Sequence, residues 1–211
     1  MAEPLLLVDA SFMAHRAFHT PGMDRLSYRG KPTGTVYGFL RDTRTLMESF
    51  NTDQLVFFFE FGIGIREIKF PGYKANRGIR DPLFNQQLLD LMNVHLPGIG
   101  FNNIQCQDGY EADDLIAEYS HGGNWAPDED IVIVSADKDL YQCLRRGVRQ
   151  YNPIAKKTMT VKRFKEHYGI HPDQWADVKS IAGCKTDNVI GVPGVQEKTA
   201  IKYLKGELGP Q

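Results

Sequence analysis

The sequence predicts an α/β fold, a mostly parallel sheet flanked by helices, with a helical module after it. Three observations predict this fold. Residues 5–9, 55–60 and 131–136 are short, continuous apolar runs of the kind found in strands buried on both faces. Segments with helical spacing alternate with them, which is the pattern of a parallel sheet covered on both sides. Each run also ends on or just before an acid, Asp9, Glu60 and Asp137, and the carboxyl edge of such a sheet is where ligands bind.

The first run, Leu5-Leu-Leu-Val-Asp9, is followed by Val36, Phe39, Leu40, Thr43, Leu46, Met47 and Phe50, which recur on one face of a helix. Leu55 to Glu60 forms the second strand. Residues 61–82, rich in Gly, Arg and Lys and bracketed by Pro71 and Pro82, fit neither period and read as a loop beside a site. We take 61–95 as an arch or loop region, of which 74–95 is short for a long threading arch. Shorter extended pieces are expected at 103–107 and 147–151, and a helix opens near Glu111 with Ala112, Leu115, Ile116 and Tyr119 inward. From residue 160 the pattern is helical, at 161–168, 173–182 and 197–205. The division is therefore a core over 1–159 and a helical module over 160–211.

At 211 residues, 42% hydrophobic and 24% charged, the chain suits one sizeable domain with a small appendage. No run approaches the roughly 20 apolar residues of a membrane span, and no secretory signal precedes the first strand, so a membrane partner is not expected. Cys106, Cys143 and Cys184 lack metal-type spacing and cannot all pair, which fits a reducing, cytoplasmic setting. Net charge is −1, but its distribution is uneven. Acids gather at 108–118 and 128–139. Basic residues follow at Arg145, Arg146, Arg149, Lys156, Lys157, Lys162, Arg163 and Lys165, with a second basic stretch at Arg66, Lys69, Lys74, Arg77 and Arg80. Each stretch alone describes a solvated face equally well, yet an acidic pocket beside basic surface suits a phosphodiester with bound metal.

Carboxylates brought together repel one another, and a divalent ion held through oxygen relieves the repulsion. Glu111-Ala-Asp-Asp114 is consistent with simple dipole compensation at a helix start, but positions 111 and 114 also project to similar sides of the first turn. Asp137-Lys-Asp139 is likewise open to a local capping role. Gly191-Val-Pro-Gly-Val195 joins two helices, and its backbone N–H groups with the helix start near Glu197 are suited to a phosphate, although the same pattern describes any helix connection.

Taken in order, the motifs are more specific. Val8-Asp-Ala-Ser11 with Arg16-Ala-Phe-His19, Pro32-Thr-Gly-Thr-Val-Tyr-Gly-Phe39, Pro71-Gly-Tyr-Lys-Ala-Asn-Arg77, Glu111-Ala-Asp-Asp114, Ser135-Ala-Asp-Lys-Asp139 and Thr186-Asp-Asn-Val-Ile-Gly-Val-Pro-Gly-Val-Gln-Glu-Lys-Thr-Ala200 follow one another along the chain. Together they resemble the bacterial and phage 5′-nuclease family, which includes flap endonucleases and the 5′→3′ exonuclease domain of DNA polymerase I. The resemblance runs from Leu6 to about Leu204.

It implies a PIN-like fold with a helix-three-turn-helix module, acting as a monomer on DNA flaps, nicks or single-strand/duplex junctions. It implies a first metal site at Asp9, Glu60, Glu111 and Asp113 and a second near Asp137, Asp139 and Asp187, with Asp114 at a further acidic position. The ions would be Mg²⁺ or Mn²⁺. Tyr73, Lys74 and Arg77 match the loop beside the active site, where the two cations would stabilise the scissile phosphate. Arg16, Gly34, Gly191, Val192, Gly194, Val195, Lys198 and Thr199 match positions expected to meet DNA, and relatives commonly hold K⁺ at the hairpin. Hydrolysis by metal-activated water needs no side-chain nucleophile, so His15 and His19 are expected to be structural or merely close to DNA.

Two positions depart from the family pattern. Glu60 replaces an Asp and keeps the carboxylate. Cys184 replaces the first Asp of Gly-Asp-x-x-Asp-Asn, and a thiol suits hard Mg²⁺ poorly, which puts the second site in doubt. The alternative reading is a flap- or duplex-binding protein of the same fold with impaired catalysis. A phosphatase using Asp9 is disfavoured because Asp9-Ala-Ser11 lacks a second Asp two residues on.

Overall fold

The computed structural model describes residues 3–78, 81–122 and 130–208. Arg80 of the second basic stretch and residues 128 and 129 of the acidic stretch lie outside them. Among the described residues no helix is long and apolar enough to cross a membrane.

The chain opens with β1 (Leu5–Asp9), α1 (Ala10–Phe18), a small hairpin of β2 (Ser27–Tyr28) and β3 (Lys31–Pro32), α2 (Gly34–Phe50) and β4 (Leu55–Phe58). A one-turn α3 (Ile65–Lys69) is followed by α4 (Pro82–Asp90), which continues through a π-turn at Leu91–His95 into α5 (Leu96–Gly98). Next come β5 (Ile104–Gln105), α6 (Ala112–Gly122), β6 (Ile131–Val134), a 3₁₀ turn at Lys138–Cys143, β7 (Val148–Asn152) and β8 (Lys157–Met159). The remainder is α7 (Val161–Tyr168), α8 (Trp175–Ala182), a two-residue ladder of β9 (Gly183–Cys184) with β10 (Val189–Ile190), and α9 (Glu197–Leu204).

Six strands form one sheet in the order β5-β4-β1-β6-β7-β8, parallel throughout except for the antiparallel β7–β8 pair. Alternation of side chains explains why the central strands are apolar at every position. Leu6, Val8, Leu55, Phe57, Val132 and Val134 pack on one face among residues of α1, α2 and α4. Leu7, Val56, Phe58, Ile131 and Ile133 pack on the other with Ala112 and Ile116 of α6. Burying each such side chain is worth roughly 1.5–3 kcal/mol, which fixes strand register against slippage.

The stretch read as an arch or loop over 61–95 divides in two. Residues 65–69 form one helical turn, whereas 82–95 are helical, and Phe84, Leu88 and Leu91 lie in the main core. The helical spacing of these three was present in the sequence but was obscured by the polar, Pro-bracketed segment before it. Phe164, Ile170, Trp175, Val178 and Ala200 build a separate cluster with Leu144, which packs α7, α8 and α9 together.

Candidate metal centre

Asp9 stands at the carboxyl end of the central strand, paired in register with Phe58 on β4. One oxygen accepts from Phe12 N–H at 3.0 Å and caps α1, and the other accepts from Ser135 Oγ at 3.0 Å. Ser11 Oγ in turn accepts from Glu60 N–H at 3.0 Å, which ties the end of β4 to α1. Three strand ends are thereby locked together by short polar side chains. Burial pushes the Asp9 carboxyl up to about 7 in spite of these hydrogen bonds, with Glu60 and Asp137 adding repulsion.

Glu111, Asp113 and Asp114 surround the start of α6 and place carboxylate oxygens all within 4.8 Å of one another. Burial, then Glu111 and Asp114, push the Asp113 carboxyl up to about 7. Its Oδ1 is buried with no hydrogen-bond partner among the described residues. A buried oxygen without a donor, among carboxylates that resist ionising side by side, fits a divalent cation bound through oxygen. Asp9 and Glu60 stand outside the three-acid group.

Cations converge on the same acids from the 64–77 segment. Arg66 makes a two-pronged contact with Asp114, at 2.6 and 2.5 Å, and reaches Glu111 at 3.2 Å. Lys74 Nζ pairs with Glu111 Oε1, and Tyr73 OH donates to Glu111 Oε2 at 2.9 Å. The Tyr73 hydroxyl is pushed well above its ordinary value by burial and by that carboxylate, so it stays a donor. Arg77 pairs with Asp187. Lys74 carries φ +54°, a left-handed conformation that is costly for a non-glycine residue and is held here by neighbours. Its N–H donates to Asp187 O at 2.8 Å, Asn76 donates to Lys185 O at 3.1 Å, and Asn188 donates to Gly72 O at 2.8 Å. The basic loop is thus stitched to the loop between β9 and β10.

Asp137 and Asp139 flank Lys138 after β6, and Asp137 Oδ1 accepts from Asp139 N–H at 2.8 Å. Cys184 Sγ lies 3.6 Å from Asp187 Oδ2. Arg66, Ser135 and Lys179, which pairs with Asp139, were given no site role from sequence. Arg66 and Ser135 did sit inside stretches singled out there; nothing in the pattern marked Lys179.

The positions matched to DNA contacts fall in two places. Gly34 is buried where Met23 O approaches so closely that a Cβ would sit 1.9 Å from it, so packing alone requires a glycine there. Arg16, on α1, pairs with Asp42 at 3.5 Å. At the C-terminal turn, Val192 N–H already donates to Ile181 O at 2.8 Å and Val195 N–H to Val192 O at 3.0 Å. Those two amides are occupied by the turn itself, while Gly194, Lys198 and the start of α9 face outward; Gly191 is pressed against Gly183, and Thr199 lies in the first turn of α9. His15 and His19 contact each other, Nε2 to Nε2 at 3.2 Å, on the exposed side of α1.

Fold and site define an α/β protein with an acidic, cation-ringed centre at the carboxyl edge of a parallel sheet. The family model described as "5′-3′ exonuclease, N-terminal resolvase-like domain" matches residues 4–169, and the chain belongs to that family. It is 33% identical to the 5′-3′ exonuclease of Bacillus subtilis over 95% of its length and 69% of that protein. It is 34% identical to the thermostable DNA polymerase I of Thermus aquaticus over 95% of its length, but spans about a quarter of that protein, 24%. In three dimensions it resembles the T5 D15 protein co-crystallised with metal ions, with a TM-score of 0.78 and 21% identity over 96% of this chain and 75% of that one. This last likeness concerns the fold.

Proposed function

We propose that this chain is a divalent-metal-dependent nuclease that hydrolyses DNA phosphodiesters at 5′ ends or flaps. The observation that carries this reading is the cluster of Glu111, Asp113 and Asp114 beside Lys74 and Arg66, in a member of the 5′-3′ exonuclease family. Glu111 and Asp113, with Asp114 beside them, would hold the ion, Mg²⁺ or Mn²⁺, and Asp9 and Glu60 are the further ligands that the family resemblance implies. When bound, it supplies positive charge at the phosphate and lowers the pKa of water for in-line attack.

The chain's own residues do the rest. Tyr73 orients Glu111 through its hydroxyl. Lys74 and Arg77 bring two positive charges to the mouth of the site, where charge develops on the phosphate in the transition state. Asp114 is oriented by Arg66 and itself accepts from Glu111 N–H at 3.1 Å, which sets the first turn of α6. The α8 to α9 segment serves as a helix-hairpin-helix grip on duplex DNA through Gly194, Lys198 and the α9 start, with K⁺ a candidate ion at the turn. Residues 1–159 would form the nuclease core and 160–211 the gripping module of a monomer.

The test is cleavage of a labelled 5′-flap duplex in Mg²⁺, with EDTA and Asp113→Asn as controls. Metal-dependent release of short 5′ products, lost in both controls, is the expected result. Tight flap binding without cleavage in any divalent metal would select a DNA-binding role instead.

A further inference from the structure

The acids after β6 and between β9 and β10 stand in a different electrostatic setting from those of α6. Asp139 Oδ1 meets Lys179 Nζ at 3.0 Å, and the same ammonium meets Glu197 Oε1 at 3.1 Å. Lys179 comes from α8 and is largely covered, with its side chain 21% exposed. Asp187 pairs with Arg77, and Asp137 has one oxygen committed to Asp139 N–H. Where a further carboxylate is expected there is Cys184, whose Sγ contacts Thr186 Oγ1 at 3.0 Å and Asp187 Oδ2 at 3.6 Å.

The number of converging oxygen donors, and the ion pairs those oxygens already make, decide what these two clusters can take. Asp139 and Asp187 are each already ion-paired, the first with Lys179, which it shares with Glu197, and the second with Arg77. Glu111 and Asp114 meet two cations, Arg66 and Lys74, whereas Asp113 has no ion pair among the described residues and its buried Oδ1 no hydrogen-bond partner there. Among the described residues only Glu111, Asp113 and Asp114 bring three donor groups within 4.8 Å. Hard divalent ions follow the number and charge of their oxygen ligands, and a thiol adds little for Mg²⁺ or Mn²⁺.

We infer that the centre takes a single divalent ion, at the Asp113 cluster, and that the Lys179 ammonium, clamped between Asp139 and Glu197, supplies the positive charge at the second. The inference rests on the nuclease reading for its significance, but its measurement does not require cleavage. Lys179 is a positioning charge here: it holds Asp139 and neutralises a place that would otherwise attract an ion.

The experiment counts Mn²⁺ bound by the full chain near neutral pH without DNA, by electron paramagnetic resonance of free ion and by calorimetry. One equivalent is expected, lost in Asp113→Asn and retained in Asp187→Asn. Cys184→Asp combined with Lys179→Met should gain a second equivalent within about tenfold of the first, since both ligand charge and net charge are restored. Circular dichroism checks folding, and Cys184→Asp alone, which should bring a weaker second equivalent into the measurable range, serves if the double variant does not fold. Two comparable equivalents in the unmodified chain, one of them lost with Asp187→Asn, would overturn the inference yet leave a nuclease that still cleaves flaps. A count that stays at one equivalent in both Cys184→Asp and the folded double variant would also overturn it. Absence of both Mn²⁺ binding and flap cleavage would remove the nuclease reading as well.

Discussion

Trp175 Nε1 donates to the carbonyl of Lys138 at 2.7 Å, joining the C-terminal helices to the turn that carries Asp137 and Asp139. The ring itself is fully buried and packs against Phe164, Tyr168 and Tyr141. Trp175→Phe keeps most of the packing and removes the donor, so unfolding free energy should fall by about 1–3 kcal/mol from the unpaired carbonyl. Trp175→Ala should cost about 3–5 kcal/mol. Urea titrations of the two variants measure the difference.

Stability of the metal-free chain should decline as pH rises from about 4 through 7. Asp9 and Asp113 are both pushed up to about 7, chiefly by burial, whereas an unfolded Asp titrates near 3.9. Between those values the folded state binds more protons, so each rise in pH favours unfolding. Thermal melts in EDTA at about pH 5 and about pH 8 should show the drop. Saturating Mg²⁺ should reverse it, and Asp113→Asn should reduce it to the share that Asp9 contributes.

Lys74→Ala should slow single-turnover flap cleavage by about 10²–10³ while leaving duplex affinity within a few-fold, because its charge is placed for the transition state. An equal loss in affinity and rate would assign Lys74 to ground-state binding.

Arg66→Ala should destabilise the metal-free chain by roughly 1–3 kcal/mol, since Asp114 and Glu111 lose a two-pronged partner that is only half exposed. Mg²⁺ should recover part of the loss. Arg66→Lys should not restore stability fully, because an ammonium cannot reproduce the forked contact. Melting temperatures with and without Mg²⁺ separate these outcomes.

Gly34→Ala should destabilise by more than about 1 kcal/mol, because its Cβ would overlap a backbone carbonyl that cannot rotate away. Normal stability would mean that the Met23 turn shifts freely.

The central strands were legible because continuous apolar runs such as Ile131–Val134 have no other stable home, and the acids at their ends followed from chain order. The Asp113 cluster was visible as Glu111-Ala-Asp-Asp114. Its ring of cations was not, since Arg66 and Lys179 meet their acids only through folding, 48 residues apart in the first case. The β2–β3 hairpin, β8 and the β9–β10 ladder were missed because two or three residues carry no readable period. The core role of α4 was hidden by the proline-bracketed segment before it, and the packing need for Gly34 depends on a carbonyl from another turn.

Gly183 and Gly191 press backbone to backbone, such that a Cβ on the first would lie 2.4 Å from the second's nitrogen. Cys184, adjacent to one of them, has its side chain directed at Thr186 and Asp187 instead. One residue of the pair's neighbourhood is therefore frozen by sterics while the next is free to change its chemistry. Divergence within this loop has a route that rewrites ionic character by a single codon and leaves the scaffold undisturbed, so variation should concentrate at 184 and vanish at 183 and 191.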